Sequence, residues 1–580
     1  MQPRLLLVFL ACSLLPATMA HAQALASYDQ IHHPVYSRTG MVASQNRVPS
    51  EIGAQILADG GNAIDAAVAV GFSLAVTLPR AGNIAGGGYM LYHDAESGKT
   101  IAIDYREMAP LGATRDMFLD SEGNADRSLA KDSLLSSGVP GTVAGFHLAH
   151  QKFGRLPWSK VLEPAIALAR DGIVVTRDLS NQLKSAQQRN CRDATTCAYL
   201  YKKDGEPYEM GERLVQSDLA HTLQLIADDG PDAFYRGKIA EKIIAKMERG
   251  GGLIDKASLA AYKPEIREPI RGHYRGYEIV AMPLTSSGGV HVIQMLNILQ
   301  HFDITEMGAG SADAIHVLAE VMRLAYADRS EHLADPDFYD VPVAWLTSEE
   351  YASELAVEVD MEKATASAQV LAGEPVADES RDTTHFSVMD VDGNVVSNTY
   401  TLNTSYGSGI AVDGAGFVLN NEMDDFVSKP GVPNVYGLLG GEANAVAPNK
   451  RPLSSMTPVI VFDAGEPWFA TGSPGGGWII TAVLQMIVNV IDHGMGIADA
   501  SDAPRLHHQW YPDQLLLEDG FSPDTVRELE SRGHEIARRR SIFTSLQTVA
   551  FKDGWFRGAS DPRRQDSAAV APPEPDANQD

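Results

Sequence analysis

Asp382-Thr383-Thr384-His385-Phe386-Ser387-Val388-Met389, the turn Asp390-Val391-Asp392-Gly393-Asn394 and the run Val395-Val396-Ser397-Asn398-Thr399-Tyr400-Thr401 form the stretch that decides the fold. Two β-rich runs flank a cluster of Asp, Gly and Asn, the pattern of a hairpin. Residues 383 and 401 are equidistant from residue 392, so a regular hairpin sets the Thr401 hydroxyl beside Thr383. A threonine inside a chain is a weak nucleophile, whereas an N-terminal threonine has its own α-amine within reach of Oγ1 as a general base. That amine, with a pKa of roughly 7.7–8.0, is suited to taking a proton near neutral pH. Cleavage of the 382–383 peptide bond would therefore create a nucleophile at the start of a strand. Taken alone, the same threonines also fit an ordinary strand, because β-branching suits the pleat.

Residues 365–382 mix Ala, Gly, Pro, Asp and Glu with little periodicity, the composition of an exposed linker running into Thr383. A cut there leaves a large N-terminal piece and a smaller C-terminal one. One composite domain would draw strands from both, for instance around 100–105 and 383–401. Upstream, residues 51–76 have helical periodicity interrupted at Gly60-Gly61-Asn62, and residues 145–260 read as mostly helical. Gly82-Asn83-Ile84-Ala85-Gly86-Gly87-Gly88 permits close backbone packing, but its spacing is not the dinucleotide fingerprint and no helix follows directly. Ile279–Pro283, the polar turn Leu284–Gly289 and Val290–Leu299 read as strand, turn and helix. The helix start there is either an anion site or internally capped. The Pro-, Ala- and Asp-rich tail 568–580 is expected to be mobile.

Met1–Arg4 is a short basic region, Leu5–Leu15 is mostly apolar, and Ala20-His21-Ala22 offers small residues to a signal peptidase. Residues 1–22 are therefore expected to be a secretory signal, too short for a membrane span, and the location periplasmic or secreted. Of the 3 cysteines, Cys12 falls in that segment. Cys191 and Cys197 remain to close a small disulfide loop in an oxidising compartment. No paired ligands nearby support a two-cysteine metal site. The formal net charge of −28 is not offset by any Lys/Arg patch, which argues against nucleic acid or an anionic membrane surface as partner.

Beyond the hairpin, an ordered set of motifs accumulates: Asp104-Tyr105-Arg106-Glu107-Met108-Ala109-Pro110, Ser137-Gly138-Val139-Pro140-Gly141-Thr142, Thr401-Leu402-Asn403-Thr404, Asn420-Asn421-Glu422-Met423-Asp424-Asp425-Phe426, Arg451–Pro458 and Gly472-Ser473-Pro474-Gly475-Gly476. From about residue 35 to 563 the chain resembles gamma-glutamyltranspeptidases. The resemblance implies an α+β fold, the four-layer αββα sandwich of N-terminal-nucleophile hydrolases. It also implies a proenzyme cut autocatalytically between Asp382 and Thr383, giving a large subunit (23–382) and a small one (383–580) that stay associated.

By the same resemblance Thr383 is the nucleophile, Thr401 orients it, and Gly475 and Gly476 supply backbone N–H groups to an oxyanion hole. Arg106, with Ser454 and Ser455, would take the α-carboxylate of a γ-glutamyl donor. Asp425, with Asn403 and Glu422, would take its α-ammonium. Alone, Arg106 and Asp425 would suit an ordinary ion pair; together with the nucleophile they specify a zwitterion pocket. Lys429–Gly437 resembles a lid over that pocket, with Tyr436 its aromatic edge. Trp478 stands where many bacterial relatives carry arginine, either packing beside the site or narrowing its outer cleft.

The expected enzyme takes glutathione or another γ-glutamyl compound, forms an ester at Thr383 and passes the acyl group to water, an amino acid or a dipeptide. No metal or other cofactor is needed. A related cephalosporin (glutaryl) acylase is the alternative: its substrate keeps a carboxylate but has no α-ammonium, so Asp425 favours the glutamyl donor. A non-enzymatic exported binding protein would instead stay one full-length chain.

Overall fold

In the computed structural model, Asp390 organises the hairpin turn by accepting hydrogen bonds from the N–H groups of Asp392 and Asn394 at Oδ1, at 3.0 and 2.9 Å. Gly393 takes the left-handed conformation (φ 92°) that closes the turn. Strands Thr384–Asp390 and Val395–Thr401 pair antiparallel from Thr384↔Tyr400 to Met389↔Val395. Extending that register by one residue sets Thr383 opposite Thr401, as the symmetric count about residue 392 requires. Residues 32–370, 383–540 and 544–574 are described, so Asp382 and the expected signal segment lie outside the described residues.

The hairpin is central in a seven-stranded sheet, where its neighbours are Gly40–Ser44 on one side and Gly87–Asp94 on the other. The sheet continues through Lys99–Asp104 to Glu265–Arg267. A second seven-stranded sheet includes Glu466–Thr471, Val459–Asp463 and Tyr277–Ala281, together with Gln547–Lys552 and Trp555–Ser560. Both sheets thus combine strands from before and after Thr383.

Alternation along the hairpin shows how the layers stack. Phe386, Val388, Val396 and Tyr400 pack with helices Ala63–Thr77 and Thr142–Phe153. Met389 and Val395 join the core shared with Ile460, Val461 and Phe469 of the second sheet. On that same inner face His385 lies against Gly472, and Ser387 donates to the Gln547 carbonyl at 2.9 Å. Thr383 and Thr401, two residues further along each strand, share the parity of this inner face. Helices Ser287–Leu299, Ala312–His332 and Trp478–Ile491 cover the far side of the second sheet, completing the αββα order.

The helical stretch over 51–76 is two helices, Arg47–Ala58 and Ala63–Thr77, and the second starts with a capping box formed by Asn62 and Asp65. Gly86 and Gly88 show why the glycine run is needed. A Cβ on either would lie 1.9 or 2.4 Å from the carbonyls of Thr401 and Thr399, so the strand carrying Thr401 is pressed against bare backbone. Cys191, which caps the C-terminus of helix Arg177–Asn190, forms a disulfide with Cys197 within helix Ala194–Leu200.

The expectation of a mobile tail from residue 568 needs correction. Ala568–Val570 is an edge strand paired with Val42–Ser44, and Ser50 Oγ donates to the Ala568 carbonyl at 2.8 Å. Composition pointed to disorder, but an open sheet edge offers three β-compatible residues their backbone partners. Residues 575–580 lie outside the described residues. Among the described residues no helix is long and apolar enough to cross a membrane.

Candidate active site

Thr383 and Thr401 are both 3% exposed at the hairpin end remote from its turn. Past Thr401 the chain reverses through Asn403, whose φ of 76° is a left-handed conformation that asparagine tolerates better than most residues. The reversal sets the Asn403 N–H on Thr401 Oγ1 at 2.9 Å, fixing that hydroxyl. It also presents the Asn403 carbonyl to the Tyr436 hydroxyl, which donates to it at 2.5 Å.

From the second sheet, Glu466–Thr471 leads through Gly472-Ser473-Pro474 into helix Trp478–Ile491. Gly475 (φ 133°) and Gly476 (φ 55°) make the turn in conformations hostile to a side chain. Their carbonyls accept from the N–H groups of Trp478 and Ile479 at 3.0 and 3.2 Å. Their own N–H groups donate to nothing among the described residues. Two unspent donors at a helix start are what an oxyanion needs. A Cβ on Gly476 would stand 2.3 Å from the Tyr436 ring, so the lid tyrosine rests directly on this turn.

A cavity of about 20 Å³ brings Thr383, Thr401, Asn403 and Gly476 together with Arg106, Asp425, Ser454, Ser455 and Tyr436. Arg106 follows strand Lys99–Asp104 and is 0% exposed. Its Nη1 lies 2.5 Å from Glu422 and its Nη2 2.5 Å from Asp425, with Glu107 at 3.7 Å. The residues expected at opposite ends of the donor therefore pair with each other. Glu422 is not on the cavity wall but behind it, held through Arg106. Burial holds the Glu422 carboxyl well above the usual range and raises that of Asp425, with the Arg106 charge opposing both shifts. Burial likewise pushes Glu107 up to about 8 against the same arginine, and neither Glu107 oxygen accepts a hydrogen bond.

The loop Lys429–Gly437, expected to act as a lid, is tied to the acidic segment. Asn434 Nδ2 donates to Asp425 Oδ1 and the Val435 N–H to Asp424 Oδ2, each at 3.0 Å. Gln509 Nε2 donates to the Tyr436 carbonyl at 3.2 Å. Asn434 and Gln509 escaped the sequence reading. Asn434 lay inside the quoted lid loop, whereas Gln509 sits in His507-His508-Gln509, which has no periodicity or motif to mark it. Trp478 resolves towards packing: its indole is 2% exposed, with His507 5.8 Å and the Arg539 guanidinium 5.5 Å from its ring centre. It is absent from the cavity wall.

His385 is not positioned as a base. It is buried between Thr399 Oγ1 at 2.8 Å and Ser387 Oγ at 2.9 Å, and burial lowers it to about 3, so it stays neutral. Among the described residues His316, Glu320 and His534 cluster closely enough to hold a metal ion, but each already has a partner inside the protein. His316 Nδ1 meets His534 Nε2 at 2.8 Å, and Glu320 accepts from Arg323 and from the Thr365 N–H.

The sequence profile described as Gamma-glutamyltranspeptidase matches residues 49–571. The chain belongs to this family. It is 52% identical over 538 residues to a glutathione hydrolase proenzyme of Escherichia coli (strain K12), covering 93% of each chain. Among solved structures it resembles a cephalosporin acylase from Bacillus halodurans, with a TM-score of 0.84 and 29% identity over 94% of this chain and 98% of that one. It also resembles the gamma-glutamyltranspeptidase of Helicobacter pylori, with a TM-score of 0.57 and 43% identity over 58% of this chain and 96% of that one. The family match spans both arms of the hairpin and the Gly475–Gly476 turn.

Proposed function

We propose that this gamma-glutamyltranspeptidase family member is an autoprocessing γ-glutamyl hydrolase and transferase acting on glutathione and related γ-glutamyl amides. The observation that carries it is one cavity holding Thr383, opposite Thr401, together with the Arg106–Asp425 pair.

In maturation Thr383 Oγ1 attacks the Asp382 carbonyl and its proton passes to the leaving amide nitrogen. The acyl group moves from nitrogen to oxygen as an ester, and water releases Asp382 as a free carboxylate. Thr383 then carries a free α-amine, which takes the Oγ1 proton during attack on the donor's γ-carbonyl. The N–H groups of Gly475 and Gly476 stabilise the tetrahedral oxyanion. Its collapse expels the donor's amine, cysteinylglycine in the case of glutathione, which leaves with the proton. Water, an amino acid or a dipeptide attacks the γ-glutamyl ester in the second half-reaction.

Donor recognition exchanges partners within the cavity. The α-carboxylate takes Arg106 and the hydroxyls of Ser454 and Ser455, while the α-ammonium takes the place of Arg106 at Asp425, beside Asn403, with Glu422 holding Arg106 from behind. A glutaryl group has nothing to offer Asp425, and stranding a buried polar group is costly. Asp425 therefore favours a glutamyl over a glutaryl donor. The basic, apolar and small-residue character of residues 1–22 supports a periplasmic or secreted enzyme whose signal is removed after Ala22.

Turnover of a γ-glutamyl anilide beside its glutaryl analogue tests the assignment. Clear preference for the glutaryl compound overturns it in favour of an acylase.

A further inference from the structure

Arg106 is neutralised by acids 2.5 Å away, but a second buried arginine nearby is not. Arg329, in helix Ala312–His332, is 6% exposed and has no carboxylate within 4.0 Å among the described residues. Its Nε donates to Ser287 Oγ at 3.1 Å and its Nη2 to Ser455 Oγ at 3.2 Å. Ser287 in turn donates through Oγ and N–H to the Ser454 carbonyl, at 2.7 and 2.8 Å. One guanidinium thus fixes the backbone and one hydroxyl of the Ser454–Ser455 pair.

The direction of these bonds matters. Ser455 Oγ accepts from Arg329, and Ser454 Oγ accepts from the Met456 N–H at 3.1 Å. Each hydroxyl has an acceptor site filled, and among the described residues no group takes its proton, so both O–H groups remain to be donated. Both serines line the cavity with Arg106 and Asp425. A buried, uncompensated cation is costly to keep, and an incoming carboxylate at Ser455 would supply the missing counter-charge.

We propose that Arg329 is a positioning residue for the α-carboxylate of the donor: it orients the Ser455 hydroxyl as a donor and lends its unneutralised charge to that end of the cavity. The proposal rests on the γ-glutamyl assignment above. Its effect is on donor binding, because Arg329 touches neither Thr383 nor the Gly475–Gly476 turn.

The test uses the mature protein and two chromogenic anilides, γ-glutamyl and 4-aminobutyryl; the latter keeps the ammonium but has no α-carboxylate. Wild type should prefer the γ-glutamyl compound strongly; failure of that preference would sink the functional assignment itself, whatever Arg329 does. Arg329→Gln should raise KM for the γ-glutamyl anilide about 10- to 100-fold with kcat within about threefold. Its kcat/KM on the 4-aminobutyryl anilide should stay within about twofold of wild type. Arg329→Lys should recover part of the loss. An equal loss on both anilides, or no loss on either, overturns the proposal. If Arg329→Gln does not accumulate as cleaved, folded protein, Ser287→Ala carries the same comparison, since it frees the Arg329 Nε and removes one of the two bonds to the Ser454 carbonyl without deleting charge. An unchanged ratio between the two anilides in that variant counts against the proposal.

Discussion

The groups proposed to react and those proposed to recognise the donor are built from different materials. Thr383, Thr401, Gly475 and Gly476 are uncharged, and their placement is a matter of backbone: a hairpin register, a reversal at Asn403, and a helix start with two positive-φ glycines. Arg106, Glu422, Asp425 and Arg329 are buried charges contributed by distant parts of the chain. On the proposed function the first set would serve both self-cleavage and turnover, because the scissile bond and the substrate amide present the same carbonyl chemistry. On the same proposal the second set would have work only when a zwitterionic donor is present. Substitutions in the two sets should therefore separate maturation from catalysis.

The largest effect is expected at Thr383. Thr383→Ala should leave the precursor as one chain without hydrolase activity, because the attacking oxygen is gone, while Thr383→Ser should still cleave in part. Intact mass and N-terminal sequencing read both; a stable, active small subunit starting at any other residue would remove the reacting set from the comparison.

Next in size is Asp425→Ala, which should cleave normally yet lose about 2–5 kcal/mol in donor kcat/KM, the cost of truncating one member of a hydrogen-bonded charge pair. Thermal melting and subunit cleavage measured alongside would expose a merely structural role. Near-normal glutathione turnover by the folded, cleaved variant would refute the recognition set.

Tyr436→Phe should be milder. It deletes the 2.5 Å bond to the Asn403 carbonyl but keeps the ring on Gly476, so KM should rise about 3- to 10-fold, in line with about 1 kcal/mol per hydrogen bond. Stopped-flow release of the first product would show whether kcat moves instead, which would make the tyrosine a member of the reacting set.

The smallest effect is a pH slope. Glu107 titrates near 8 in the folded protein against an ordinary 4.5. Between those values the unfolded chain has lost a proton that the folded protein keeps, so stability falls as pH rises across that window. Glu107→Gln removes the slope, and its Tm relative to wild type should climb by about 3 °C from pH 5 to pH 8. A flat difference across that range would show that Glu107 is ionised throughout.

How much was legible beforehand differs between the two sets. The hairpin followed from local rules, since a turn of fixed length dictates register and hence which residue faces Thr383. The break at Gly60-Gly61-Asn62 and the close approach at Gly86 were legible for the same reason, whereas the capping role of Asn62 was not read. The edge strand Ala568–Val570 was not, because pairing there depends on an open edge supplied by residues some 500 positions away.

Local pattern, together with the ordered motifs, determined the family and the hairpin that sets Thr383 opposite Thr401. Only the tertiary structure decided how the residues around them are compensated: that Arg106 is held between Glu422 and Asp425, that Tyr436 rests on Gly476, and that Arg329 has serines where an acid would be expected. The physical reason is that register is set by neighbours along the chain, whereas the cost of a buried charge depends on what packs around it in space.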